Sequence, residues 1–98
     1  MLLSELFERA SDNANMSSQS EALGDLCMLF RSTRDRRAMR VFCAVALDSA
    51  ADLENRWLAY VFALEVADFP YEQMPKKTNY NGFRVPEDFD VDLLSLLE

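Results

Sequence analysis

The sequence predicts an all-α protein: a compact bundle of four to five short helices, with an irregular segment at about 71–88 that a small hairpin could close. Three observations carry that expectation. Glycine and proline are scarce, with two and three copies in 98 residues, whereas all-β folds need both for tight turns. Good helix formers, namely Ala, Leu, Glu, Arg and Met, are plentiful. Apolar residues recur at helical spacing along most of the chain. The length suits one helical domain over 1–98 with one modest core.

The first helix is expected over 2–10, where Leu2, Leu3, Leu6, Phe7 and Ala10 form a stripe opposite Glu5, Glu8 and Arg9. Ser11–Ser17 is polar and rich in Asp and Asn, which reads as a loop. Ser18 with Glu21 has the spacing of a capping box, so the next helix is expected from there to about Arg31. It would bury Leu23, Leu26, Cys27 and Phe30. Gly24 inside it costs about 1 kcal/mol relative to Ala, which close approach of another helix would offset. Ser32 with Asp35 is a weaker cap signal for a third helix, about Thr33 to Leu47; one bent helix from 19 to 47 is the alternative. Ala38, Val41, Phe42 and Val45 make its inward stripe, while Cys43, Ala44, Ala46 and Leu47 leave its second half without a polar face.

Ser49 with Asp52 repeats the cap spacing and opens a helix to about Asp68. Its stripe is Leu53, Trp57, Tyr60, Val61 and Leu64, with Glu54, Asn55, Arg56, Glu65 and Asp68 solvated. Phe69-Pro70 ends it, because the residue before proline is pushed out of the helical region. Asn81-Gly82 is a turn signal that could pair Thr78–Tyr80 with Phe83–Val85; a loop packed by its own aromatics is the alternative. Asp88–Glu98 is acidic and apolar and reads as a terminal helix.

Composition narrows function. Half the residues are hydrophobic and 28% are charged, a globular balance. So many apolar residues in a small chain favour a homodimer or a partner. There is no histidine, which removes the usual general base and the commonest transition-metal ligand. Cys27 and Cys43 lie in apolar helical patterns and read as buried thiols rather than a disulfide, which suits the cytoplasm. Two cysteines do not make a zinc site, the two glycines are isolated rather than part of a phosphate loop, and Asp90 with Asp92 lacks the pattern of a calcium loop. No catalytic, metal or cofactor residues are expected, and the protein does not read as an enzyme. No signal peptide is apparent, and apolar runs such as Val41–Leu47 are too short to span a bilayer.

The net charge is −7, which disfavours binding to a nucleic-acid backbone or an anionic membrane. One island is basic. Residues 31–40 hold Arg31, Arg34, Arg36, Arg37 and Arg40 against Asp35. Arginine suits bidentate capture of carboxylate or phosphate. Arg34, Arg36, Arg37 and Arg40 are therefore candidate partner-binding residues, and internal pairing with acids of neighbouring helices is the alternative. Tyr80, Phe83 and Phe89 are further candidates because they sit in a polar stretch. The run Asp88-Phe89-Asp90-Val91-Asp92-Leu93-Leu94 resembles acidic-hydrophobic activation segments, which fold as helices in partner grooves. The resemblance covers about a tenth of the chain and adds Leu93 and Leu94. Docking of this tail on its own core or across a dimer interface is the alternative.

The expected function is that of a small acidic protein acting on a partner protein, as an inhibitor, adaptor or immunity factor, a type often encoded by phages or mobile elements. The alternative is a regulator that binds nucleic acid through Arg31–Arg40. A small enzyme working through carboxylates comes third and would need a pocket holding one of raised pKa.

Overall fold

Helix α1 is Leu3–Ala10, α2 is Met16–Phe30, α3 is Arg36–Leu47 and α4 is Leu53–Val66 in the computed structural model, which describes residues 2–68. Among the described residues there is no strand, and the all-α expectation is met. The irregular segment at about 71–88, with its alternatives of a small hairpin or a packed loop, and the terminal helix after Asp88 lie outside the described residues.

The helices start at places the serines did not announce. Asn15 caps α2, its side-chain oxygen accepting from the Ser18 N–H at 3.1 Å. The helix therefore begins at Met16, three residues before a start set by Ser18 as cap. The supposed box partners serve Arg9 instead: its Nε donates to the Ser18 hydroxyl at 2.7 Å, and it pairs with Glu21 at 3.5 Å. Asp35 caps α3, accepting from the N–H groups of Arg37 and Ala38 at 2.9 and 3.2 Å. Residues 31–35 break the chain, so α2 and α3 are two helices and not one bent one. Asp52, not Ser49, caps α4 by accepting from the Asn55 N–H at 3.3 Å. In each case the cap is an Asn or Asp three residues from the serine, all of them residue types suited to the position.

The core forms where all four helices contribute. Leu6 and Ala10 of α1, Leu23, Leu26 and Cys27 of α2, Phe42 and Cys43 of α3, and Tyr60 and Leu64 of α4 are buried. Phe42 and Phe62 meet edge-on at 5.9 Å between ring centres. The most extensive contact joins α3 to α4, where Ala38, Ala46, Ala59 and Ala63 are all buried. Small side chains let the backbones approach closely. Helix α2 packs on both α1 and α4, and α1 does not touch α4. Contacts at both ends orient the bundle: Asn55 meets Met16 and Glu65 meets Cys27, so α2 and α4 run the same way. Helix α3 runs against them.

Several polar expectations change. Asn55 is buried, Arg56 and Glu65 are half-buried, and Leu53 is 44% exposed. Asn55 faces inward because it completes an amide network. The fully buried Gln19 donates to the Ala10 carbonyl at 3.0 Å and to Asn13 at 2.8 Å. It accepts from Asn55 at 3.0 Å, and Asn55 also donates to the Met16 carbonyl. Asn13 donates onward to Asp48 at 2.8 Å. This network ties both loops at that end, 11–15 and 48–52, to the starts of α2 and α4. Arg56 donates to the Ala46 carbonyl at 3.0 Å and so satisfies one open acceptor at the end of α3. Leu2 precedes α1 and is 68% exposed. Gly24 has nothing within 4 Å of where a Cβ would stand, so no close helix approach explains it. Both cysteines are buried and form no disulfide.

Candidate functional site

The five arginines of residues 31–40 divide into two groups. Arg31, Arg34 and Arg37 have partners within the fold. Arg31 pairs with Glu65 at 3.2 Å, on the same carboxylate oxygen that accepts from the Cys27 thiol at 3.1 Å. Arg34 donates its backbone N–H to the Val66 carbonyl at 2.8 Å and its Nε to the Ala67 carbonyl at 3.1 Å. Ser32 adds a backbone bond to the Glu65 carbonyl and a hydroxyl bond to Asp68, both at 3.1 Å. The turn between α2 and α3 thus closes the C-terminal end of α4, whose last carbonyls have no partner inside the helix. Arg37 pairs with Asp35 at 3.2 Å and lies over the rings of Phe7 and Phe30, 5.7 and 5.6 Å from their centres. Those two rings stack at 6.2 Å.

This junction holds every non-glycine residue of positive φ among those described: Ser32 at 61°, Arg34 at 58° and Asp68 at 57°. Each costs on the order of 1 kcal/mol for a side chain with a Cβ. The capping bonds made by Ser32 and Arg34 offset that strain.

Arg36 and Arg40 form the second group. Both are exposed, and among the described residues neither side chain makes an ion pair or hydrogen bond. They continue along the outer face of α3 into Ala44 and Leu47, spaced four, four and three residues apart. That spacing makes one stripe. Ala44 is exposed and Leu47 is 41% exposed. The second half of α3 lacks a polar face, as expected, but is not wholly inside: Cys43 and Ala46 go inward, while Ala44 and Leu47 stay outside. The result is a strip that is basic at its start and apolar at its end.

Arg36 sits where a helix least favours cations. The first turn of α3 carries no acid and begins Arg36-Arg37, at the positive end of the helix dipole. Each such charge is disfavoured by about 0.3–1 kcal/mol. Asp35 is the local counterweight. Its carboxyl is held below the ordinary aspartate range by the Arg37 side chain and by the N–H groups it caps.

The remaining candidates fall elsewhere. Tyr80, Phe83, Phe89, Leu93 and Leu94 lie outside the described residues. Tyr60 is buried and Trp57 packs half-buried against the core. A cleft of about 460 Å3 opens between the first turns of α2 and α4, lined by Met16, Ser17, Ser20, Glu21, Asp52, Glu54 and Asn55. Asp52 is used there as a cap and Asn55 belongs to the amide network. Burial and the Glu65 carboxylate push the Cys27 thiol up to about 12.

Comparison with protein families, curated proteins and solved structures finds no match.

The site therefore rests on geometry alone. Sequence reading located the arginines but missed Ala44 and Leu47, although a helical wheel through Arg36 and Arg40 passes over both. No helix of the described residues is long and apolar enough to cross a membrane.

Proposed function

We propose that this is a non-enzymatic cytoplasmic protein that binds an acidic, partly apolar surface of a partner protein on the outer face of α3. The carrying observation is the pair Arg36 and Arg40. They are exposed and without a carboxylate partner among the described residues, on a helix whose first turn already has too much positive charge. Such a placement stabilises nothing in the described fold. It leaves two forked donors free to take carboxylates of another surface, with Ala44 and Leu47 beside them for apolar contact.

Chemical considerations support binding over catalysis. The sequence lacks histidine. The Cys27 thiol is protonated and buried, the opposite of an activated nucleophile. Asp35 and Asp48 are moved downward, away from the range of a general acid. A nucleic-acid partner is less favoured than the arginine count implied. Three of the five cations are occupied within the fold, and two remain on a chain of net charge −7.

The test compares capture of partners from native cells by the wild type and by an Arg36→Glu, Arg40→Glu variant, with and without nuclease. The expected result is a protein partner that survives nuclease, weakens with salt and is lost by the variant, whose helical signal is unchanged. A partner retained by the variant overturns the reading. Binding that disappears with nuclease transfers the face to nucleic acid.

A further inference from the structure

Resting on that reading of the α3 face, we infer that the chain's own acidic tail, residues 88–97, is an occupant of the stripe Arg36–Arg40–Ala44–Leu47, docking within the same molecule and competing with the external partner. Three observations point to it.

The first is where the chain leaves the described fold. Asp68 is bonded to Ser32, and the Val66 carbonyl accepts from the Arg34 N–H at 2.8 Å. The exit is therefore two to four residues from the start of α3, at the basic end of the stripe. The second is reach. Nineteen residues, 69–87, separate this exit from Asp88, and an extended chain of that length covers roughly 60 Å. The stripe lies on a helix of 12 residues, about 18 Å long. Tethering at such range gives an effective concentration on the order of millimolar, so a weak pairing is enough.

The third is complementarity in order as well as in sign. Along α3 the stripe runs from two cations to two apolar residues. Along the tail, Asp88, Asp90 and Asp92 precede Leu93, Leu94, Leu96 and Leu97. Asp88, Asp92 and Leu96 recur at the intervals of Arg36, Arg40 and Ala44. Carboxylates thus meet guanidinium groups while leucines meet Ala44 and Leu47, with the two segments running the same way. The remaining 88–97 acid, Asp90, adds to the same field.

Zero-length cross-linking reads this directly in the full chain. In an Arg36→Lys, Arg40→Lys variant, carbodiimide joins a lysine amine to a carboxylate only when the two touch. The expected product links position 36 or 40 to Asp88, Asp90 or Asp92 within one copy, at monomer mass. No such link overturns the inference, and a link found only at dimer mass overturns it in favour of a second copy.

A labelled synthetic peptide of residues 86–98 supplies the second readout. Full-length Asp88→Asn, Asp92→Asn protein should bind it about tenfold tighter than wild type, because its own tail no longer masks the face. Arg36→Glu, Arg40→Glu protein should not bind it. Equal binding by wild type and the Asn variant contradicts masking. The outcomes also separate this inference from the function it rests on. An absent cross-link with partner capture still lost in the charge-reversed chain removes the tail and keeps the docking face. A cross-link with partner capture intact in that chain does the reverse.

Discussion

The two ends of the bundle hold the same helices by different chemistry. At the end where α2 and α4 begin, Gln19, Asn13, Asn55 and Asp48 form a closed amide network around a fully buried side chain. At the other end, the arginine turn caps α4 through a strained backbone and uses only part of its charge. The first end is complete in itself. The second leaves Arg36 and Arg40 without a partner among the described residues. A buried polar group must find its partner inside the fold, whereas an exposed cation carries no such obligation. The unused charge at the exposed end is what the proposed interaction draws on.

The strongest way to break this contrast is at the closed end. Gln19→Ala removes three hydrogen bonds and leaves Asn55 and the Ala10 carbonyl without their buried partner. The expected loss is about 3 kcal/mol, read from urea unfolding. A loss within the error of the experiment would show that the network contributes little to stability.

At the arginine end the expected effect is smaller. Asp35→Ala deletes the α3 cap and should cost about 1 kcal/mol. The affected amides are those of Arg37 and Ala38, so hydrogen exchange there should speed up while exchange around Asn55 stays the same.

Acid acts on both ends together. Asp35 and Asp48 titrate below the ordinary aspartate value of 3.8, Asp48 because the Ala50 N–H and the Asn13 amide bond it. The unfolded chain then binds protons more readily than the folded one, so their stabilisation is present above pH 3.8 and falls as pH drops through the folded values. Cys27 has the opposite sign. Its stabilisation is full below pH 9 and lost as pH rises toward 12. A thiol-specific reagent should accordingly react slowly with Cys27 at pH 8 in the native state and rapidly in denaturant.

The smallest effect belongs to neither end. Gly24 lies in mid-helix with open space around it, so Gly24→Ala should add roughly 0.5–1 kcal/mol. A destabilised variant would mean that the outer face of α2 is occupied.

Much of this was legible in the sequence, and the misses share a cause. The four helices of 2–68 follow from apolar spacing. Their starts were misjudged at Ser18, Ser32 and Ser49, and each true cap is an Asn or Asp three residues away. A serine hydroxyl has other uses, and here Arg9 takes the one on Ser18. Asn55, Arg56 and Glu65 looked solvated because their partners, Met16, Ala46 and Cys27, are distant in the chain or are backbone carbonyls. The arginine island was visible as a cluster. Its division into three structural and two outward residues was not, since the Glu65 and Ala67 acceptors come from a helix end some 33 positions away.

Hydrogen–deuterium exchange on the full chain, with and without its captured partner, decides whether the outer face of α3 is the proposed binding surface. Added protection is expected in α3, Arg36–Leu47, with none at the cleft between Met16 and Asn55. Protection at that cleft with α3 unchanged would rule out the α3 face.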